Sequence, residues 1–242
     1  MVRTPRLRRQ FEETIVGMTD GSNLPGPLVP GVPAHQSARD RTVALWLRSA
    51  ITILSITALL FVIEGVDTAT GHRMDDEGIE PRRASGLVGV LVSPFLHADW
   101  NHLLSNAVPG ILLGFLVLLT GRFLRVTLIV WFTSGMGVWL FGAPGKVTIG
   151  ASGIIFGWLA FILVRGIFSR VVWQIALGVV VLIAYGGILW GALPGAPGIS
   201  WQAHAFGAAG GVLAAWQLGL RERQHRIEGA ARSGGMTRGI TG

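Results

Sequence analysis

Three short stretches of this chain carry side chains able to do nucleophilic chemistry, and each stands beside an apolar run. Gly150-Ala151-Ser152-Gly153 puts a serine between glycines at the head of a run that stays apolar to Val164. Trp201-Gln202-Ala203-His204 holds a histidine at the head of another. His97 to Asn106 holds His97, His102 and Asn106. A hydroxyl becomes a nucleophile when a base within hydrogen-bond reach takes its proton, and acyl transfer proceeds when donors hold the oxyanion. A serine, a histidine and donors from a third element are the minimum for that reaction. Each also has a plainer use. Serines and glycines let membrane helices approach each other, and a lone histidine often hydrogen-bonds between helices.

The elements that must position these residues are membrane helices. Half the residues are hydrophobic and only 14% are charged, whereas a soluble domain carries about 25% charged residues. The mean hydropathy is +0.55. The absence of cysteine excludes disulfides, thiolate metal sites and cysteine nucleophiles. The net charge of +7 falls in tails and short loops, where topology signals belong, so no nucleic-acid partner is expected. The histidine cluster lacks a His-Glu-x-x-His pattern and a second carboxylate, which argues against zinc there. A transporter would show hydrophobic runs broken in matching halves, and none is.

Six apolar runs lie near Val43–Ile63, Leu103–Leu119, Phe123–Phe141, Val147–Val164, Val171–Trp190 and Trp201–Leu220. Each is close to the ~20 residues that cross a bilayer, so the expected fold is all-α, a six-helix membrane bundle. Residues 1–41 read as a disordered tail, 42–220 as the membrane core and 221–242 as a basic C-terminal tail. Arg3, Arg6, Arg8 and Arg9 imitate the start of a signal peptide, but Gln10-Phe11-Glu12-Glu13 follows them, not an apolar core. Arg122 and Arg125, Arg165 and Arg170, and Arg221 and Arg223 fall on the same side as the arginine-rich N-terminal tail. The positive-inside rule makes that side cytoplasmic, with both termini there. The long first loop, Glu64–Asn101, contains the apolar stretch Ser85–Leu96, too short to span and expected to lie in the interface or re-enter.

All three polar clusters then fall at the non-cytoplasmic ends of helices. Asp99 is a suitable N-cap for the second span, and His102 and Asn106, four apart, share a helix face. His97, five before His102, belongs to the preceding loop. Gly207 and Gly211 share a face with His204, and Gly150, Gly153 and Gly157 line the fourth span, so two glycine faces in contact bring Ser152 and His204 together. Ser152 is six residues past Lys146 and His204 seven past Pro197. At ~1.5 Å per residue both are expected on the order of 10 Å below the outer ends of their helices.

The core from Val43 to Leu220 resembles the rhomboid intramembrane serine proteases. The likeness rests on Gly-x-Ser at 150–152, His-x-x-x-x-His-x-x-x-Asn at 97–106 and Ala-His-x-x-Gly-x-x-x-Gly at 203–211, in this order. It implies a multi-pass cell-membrane endopeptidase that cuts transmembrane or juxtamembrane segments of single-spanning proteins within the lipid bilayer, with no cofactor. It makes Ser152 the nucleophile and His204 its base, with no aspartate. Asn106, His102 and the Ser152 N–H would hold the oxyanion. His97 would support by hydrogen bonding, and Gly150 would let the backbone turn beside the nucleophile. The first loop would be a scaffold, and the fifth helix with Gly191–Ser200 a gate and cap. Two departures stand out. Phe156 replaces the family's usual tyrosine, keeping a ring to stack on the histidine, and the first loop has Arg82-Arg83 in place of a Trp-Arg pair. Two alternatives stay open: a non-proteolytic, client-binding scaffold and, behind it, a small-solute transporter.

Overall fold

A computed structural model describes residues 34–195 and 198–238. In chain order the helices are α1 (Ala34–Thr70), α2 (Gly86–Val92), α3 (Trp100–Leu119), α4 (Phe123–Phe141), α5 (Ser152–Ser169), α6 (Val172–Tyr185) and α7 (Trp201–Arg238). Short 3-10 turns occupy Asp75–Glu77, Ser93–Phe95 and Gly186–Ala192. Among the described residues the β structure is a single antiparallel bridge, Ile79 with Thr148. The chain divides into two units, Met1–Ala44 and Leu45–Gly242. The described part of the first is the opening of α1, and everything below concerns the second.

Five helical stretches are long and apolar enough to cross a membrane: Arg39–Thr70, Trp100–Leu119, Phe123–Phe141, Ser152–Ser169 and Val172–Ala192. The residues expected to form the sixth span are helical, as the start of α7, but they are not among the five. Their Gln202, His204, Gln217 and run of glycines and alanines dilute their apolar character. The predicted tails also differ at their inner ends. Helix α1 begins at Ala34, inside the segment expected to be disordered, and α7 carries the basic C-terminal segment as helix to Arg238. Residues 1–33 of the expected tail lie outside the described residues.

Burial sorts the bundle. Two-thirds of α5 (67%) is buried against 11% for the span containing α6, so α5 is the central helix and α6 a peripheral one. Leu159 and Phe161 of α5 sit in a core with Leu113 and Val117 of α3, Val126 and Val130 of α4, and Ala214 and Ala215 of α7. Helices α5 and α7 meet through glycine. A Cβ on Gly207 would collide with the Gly153 carbonyl, and one on Gly211 with the Gly157 carbonyl. No residue with a side chain lets two helix backbones approach so closely.

The connection between α1 and α3 is bound to the bundle rather than free. Trp131 Nε1 donates to the Val90 carbonyl (2.6 Å), Trp139 Nε1 to the Arg83 carbonyl (2.8 Å), and Arg82 Nη1 to the Leu140 carbonyl (3.0 Å). The short apolar stretch folds as α2 and the 3-10 turn after it, as its length requires. Arg82 and Arg83 thus brace this connection through α4.

Candidate active site

Ser152 is the first residue of α5. The depth expected for it is therefore wrong in its premise, because residues 147–151 are not helix. Thr148 pairs with Ile79, and Gly150 turns with φ +116°, a conformation that side chains disfavour. The Gly150 N–H donates to the Ser93 carbonyl (2.8 Å), and a Cβ there would stand 2.8 Å from His102 Nε2. Glycine is thus required twice, for its dihedral and for the ring beside it. Starting the helix at Ser152 has a chemical consequence. The N–H groups of its first residues have no carbonyl one turn back, so they face outward as donors with partial positive charge.

His204 lies in the first turn of α7 and is 7% exposed. Its Nε2 is 2.8 Å from Ser152 Oγ, and its Nδ1 is 2.9 Å from the Gly191 carbonyl oxygen. A carbonyl can only accept, so Nδ1 carries the hydrogen and donates to Gly191. That leaves the Nε2 lone pair to accept from the serine hydroxyl. Phe156, one turn after Ser152, stacks on the imidazole with centroids 3.9 Å apart and planes within 9°. The ring contact expected at this position is present without the hydroxyl. Ser134 Oγ of α4 donates to the Ala203 carbonyl (2.9 Å), holding the turn that carries His204.

The third cluster stands on α3. Asp99 caps the helix, its Oδ1 accepting the His102 N–H at 2.8 Å. Asn106 is 5% exposed and donates one amide hydrogen to the His102 carbonyl (2.8 Å), which fixes its orientation. His97 precedes the helix and packs edge-on against His102 with centroids 5.1 Å apart. It is 1% exposed, and neither ring nitrogen has a hydrogen-bond partner among the described residues. The contact it makes in the structure is ring packing against His102. Burial, then the neighbouring His102, pushes His97 down to about 4, so it is neutral near pH 7.

Ser152, His204, Phe156, His102 and Asn106 all line one cavity of 1070 Å³. Gly207 is not at its surface and acts through the helix contact already described. Sequence reasoning missed Gly191 and Ser134. The Gly191 contribution is a backbone carbonyl, which leaves no mark in residue type. A polar Ser134 in an otherwise apolar span was a readable signal.

This is a helical, multi-pass membrane protein with a serine–histidine pair opening into a cavity. The sequence matches the family model described as the Rhomboid domain over residues 84–221, more than half the chain, and the protein belongs to the rhomboid family. Proteins of Mycobacterium bovis and Mycobacterium tuberculosis, described as uncharacterized, are 47% identical over 201 residues, covering 78% of this chain and 84% of theirs. A Mycobacterium leprae protein, also described as uncharacterized, is 44% identical over 191 residues, 75% of this chain and 76% of its own. No solved structure matches the chain.

Proposed function

We propose that this protein is an intramembrane serine endopeptidase that hydrolyses peptide bonds in or beside the membrane spans of single-spanning proteins. The observation that carries the reading is the 2.8 Å contact between His204 Nε2 and Ser152 Oγ, with Nδ1 held by the Gly191 carbonyl. His204 takes the hydroxyl proton as Ser152 Oγ attacks the scissile carbonyl carbon. The oxyanion is received by the Ser152 N–H, Asn106 and His102. As the C–N bond breaks, His204 returns the proton to the leaving amine. A water from the cavity, deprotonated by the same imidazole, then releases the acyl group and regenerates the serine.

The arginine pattern supports six spans, with α7 the sixth, both termini in the cytoplasm and the cavity opening to the other side. A site near that surface obtains its water directly. Substrate approaches through the bilayer past α6, the least buried span, with the segment from Gly191 to Ser200 above the site. A helical substrate keeps its carbonyls bonded, so the expected substrates are spans weakened by glycine, proline or polar residues. A uniformly leucine-rich span cut as fast as a Gly-Ala-containing one would refute that preference.

The test is cleavage of a model single-spanning substrate by purified protein in liposomes, alongside labelling with a serine-reactive phosphonate. Wild type should cut and be labelled, while Ser152→Ala and His204→Ala should be folded and inactive. Cleavage surviving both substitutions refutes the dyad. A protein that neither cuts nor labels is a client-binding scaffold instead.

A further inference from the structure

The C-terminal end of α1 and the turn that follows it gather Glu64, Asp67, His72 and Asp75. His72 Nδ1 lies 3.6 Å from Asp67 Oδ2 and 3.8 Å from Asp75 Oδ2. One donor atom from each of these three residues is within 4.8 Å of the other two. Ligands at ~2.0–2.2 Å around a tetrahedral ion stand roughly 3.3–3.5 Å apart, so the His72 edges need to close by only a few tenths of an ångström.

Glu64 is an independent mark of the same place. It precedes Asp67 by three residues and so shares its helix face. It is 2% exposed, and its Oε1 has no hydrogen-bond partner among the described residues. Its carboxylate interacts electrostatically with His72, Asp67, Asp75 and Asp99. Buried carboxylates are ordinarily paired or bound to a metal, and three carboxylates around one imidazole remain negative even when that imidazole is protonated.

We propose that Asp67, His72 and Asp75, with the buried Glu64 one helix turn from Asp67, form a binding site for a divalent transition-metal ion of the zinc type. The imidazole decides the class, since calcium and magnesium take oxygen ligands whereas imidazole suits zinc and its neighbours. The ligands are largely preset. Asp67 Oδ1 accepts the Met74 N–H (2.8 Å), leaving Oδ2 toward His72, and the His72 N–H donates to the Asp67 carbonyl (2.9 Å). The His72 side chain is 43% exposed, which gives the ion a route from water. Asp75 also lines the cavity that holds Ser152, so a bound ion braces the segment bordering that cavity.

The experiment uses tag-free, metal-stripped protein in detergent, titrated with zinc chloride and separately with magnesium and calcium chloride. Calorimetry and thermal unfolding are the readouts, so the result does not depend on proteolysis. Wild type should take up one zinc per chain with micromolar or tighter affinity, and its Tm should rise by several degrees and fall back with EDTA. Magnesium and calcium should have no effect at tenfold higher concentration. His72→Gln and Asp75→Asn, at the more exposed positions, should each weaken zinc binding by about tenfold or more. If Asp75→Asn fails to fold, His72→Gln decides. No zinc uptake, uptake undiminished by these substitutions, or a calcium response indifferent to His72→Gln would each overturn the proposal.

Discussion

Gly207→Ala tests whether the glycine contact between α5 and α7 sets the geometry of the dyad. An alanine Cβ at 207 would stand 2.9 Å from the Gly153 carbonyl carbon and nearer still to its oxygen. Carbon atoms rest comfortably at ~3.5 Å, so the helices must part by about 0.6 Å or more. Ser152 adjoins Gly153 and His204 lies one turn from Gly207, so the same displacement stretches their 2.8 Å contact to roughly 3.4 Å. A hydroxyl–imidazole bond of that length is poorly made, and general-base assistance is worth about 10²- to 10⁴-fold. The expected result is a kcat lowered by ~100-fold or more, with KM within about threefold because the cavity mouth is untouched. Overpacking should also lower stability by about 1–3 kcal/mol. Gly187→Ala is the control, since a Cβ there meets nothing within 4 Å. The assay is cleavage of a single-spanning substrate in liposomes, with thermal unfolding run on the same preparations. Gly207→Ala cutting within about threefold of wild type, at an unchanged Tm, would refute the coupling.

Three further outcomes are expected. Phe156→Leu removes the ring stacked at 3.9 Å on His204 and should lower kcat by about 3- to 10-fold with little change in KM, the worth of one aromatic pair; an unchanged kcat would show that stacking does not position the base. Thr127→Val leaves the buried Trp158 Nε1–H, now bonded to Thr127 Oγ1 at 3.0 Å, without its acceptor. Thermal unfolding in detergent should register a loss of about 0.6–1.7 kcal/mol, as for other interhelical bonds within membranes. Glu222→Ala removes the partner of Arg165 (3.2 Å) and Gln174 (2.9 Å), which joins the lower ends of α5, α6 and α7. A partly buried arginine left unpaired should cost about 1–3 kcal/mol, and an unaltered Tm would show that water replaces the carboxylate.

Much of the site was legible because it rests on periodicity and residue type. The glycines at 153, 157, 207 and 211 announced a close helix contact, though Gly150, read with them, lies in the turn before the helix; Asp99 before an apolar run announced a cap that the structure contains. The start of α5 was not legible. Val147 and Ile149 read as helix by hydropathy, but Thr148 pairs with Ile79 and Gly150 turns in a left-handed conformation, and neither long-range pairing nor a dihedral is visible in composition. Helix α1 was cut short at Ile63 because Glu64 and Asp67 look like loop residues, yet both are buried within the helix. In the same way α7 is a full helix whose small and polar residues hide its length from a hydropathy count.

The Gly191 carbonyl bears on how a dyad works without a carboxylate. A carboxylate beside a histidine fixes its tautomer and stabilises the imidazolium by full charge. Here a neutral carbonyl fixes the tautomer at 2.9 Å, while Phe156 covers one ring face. That carbonyl belongs to the 3-10 segment Gly186–Ala192, which directly continues α6, the least buried span. The base is thus oriented from one side by the rigid α5–α7 glycine contact and from the other by a loosely packed helix. Movement of the upper end of α6 carries the Gly191 oxygen with it, while the Glu222 cluster ties the lower end to α5 and α7. The helix whose continuation holds the proton on Nδ1 is thus also the least buried span. In the proposed mechanism, one helix both borders the substrate's approach and orients the base, which links the two.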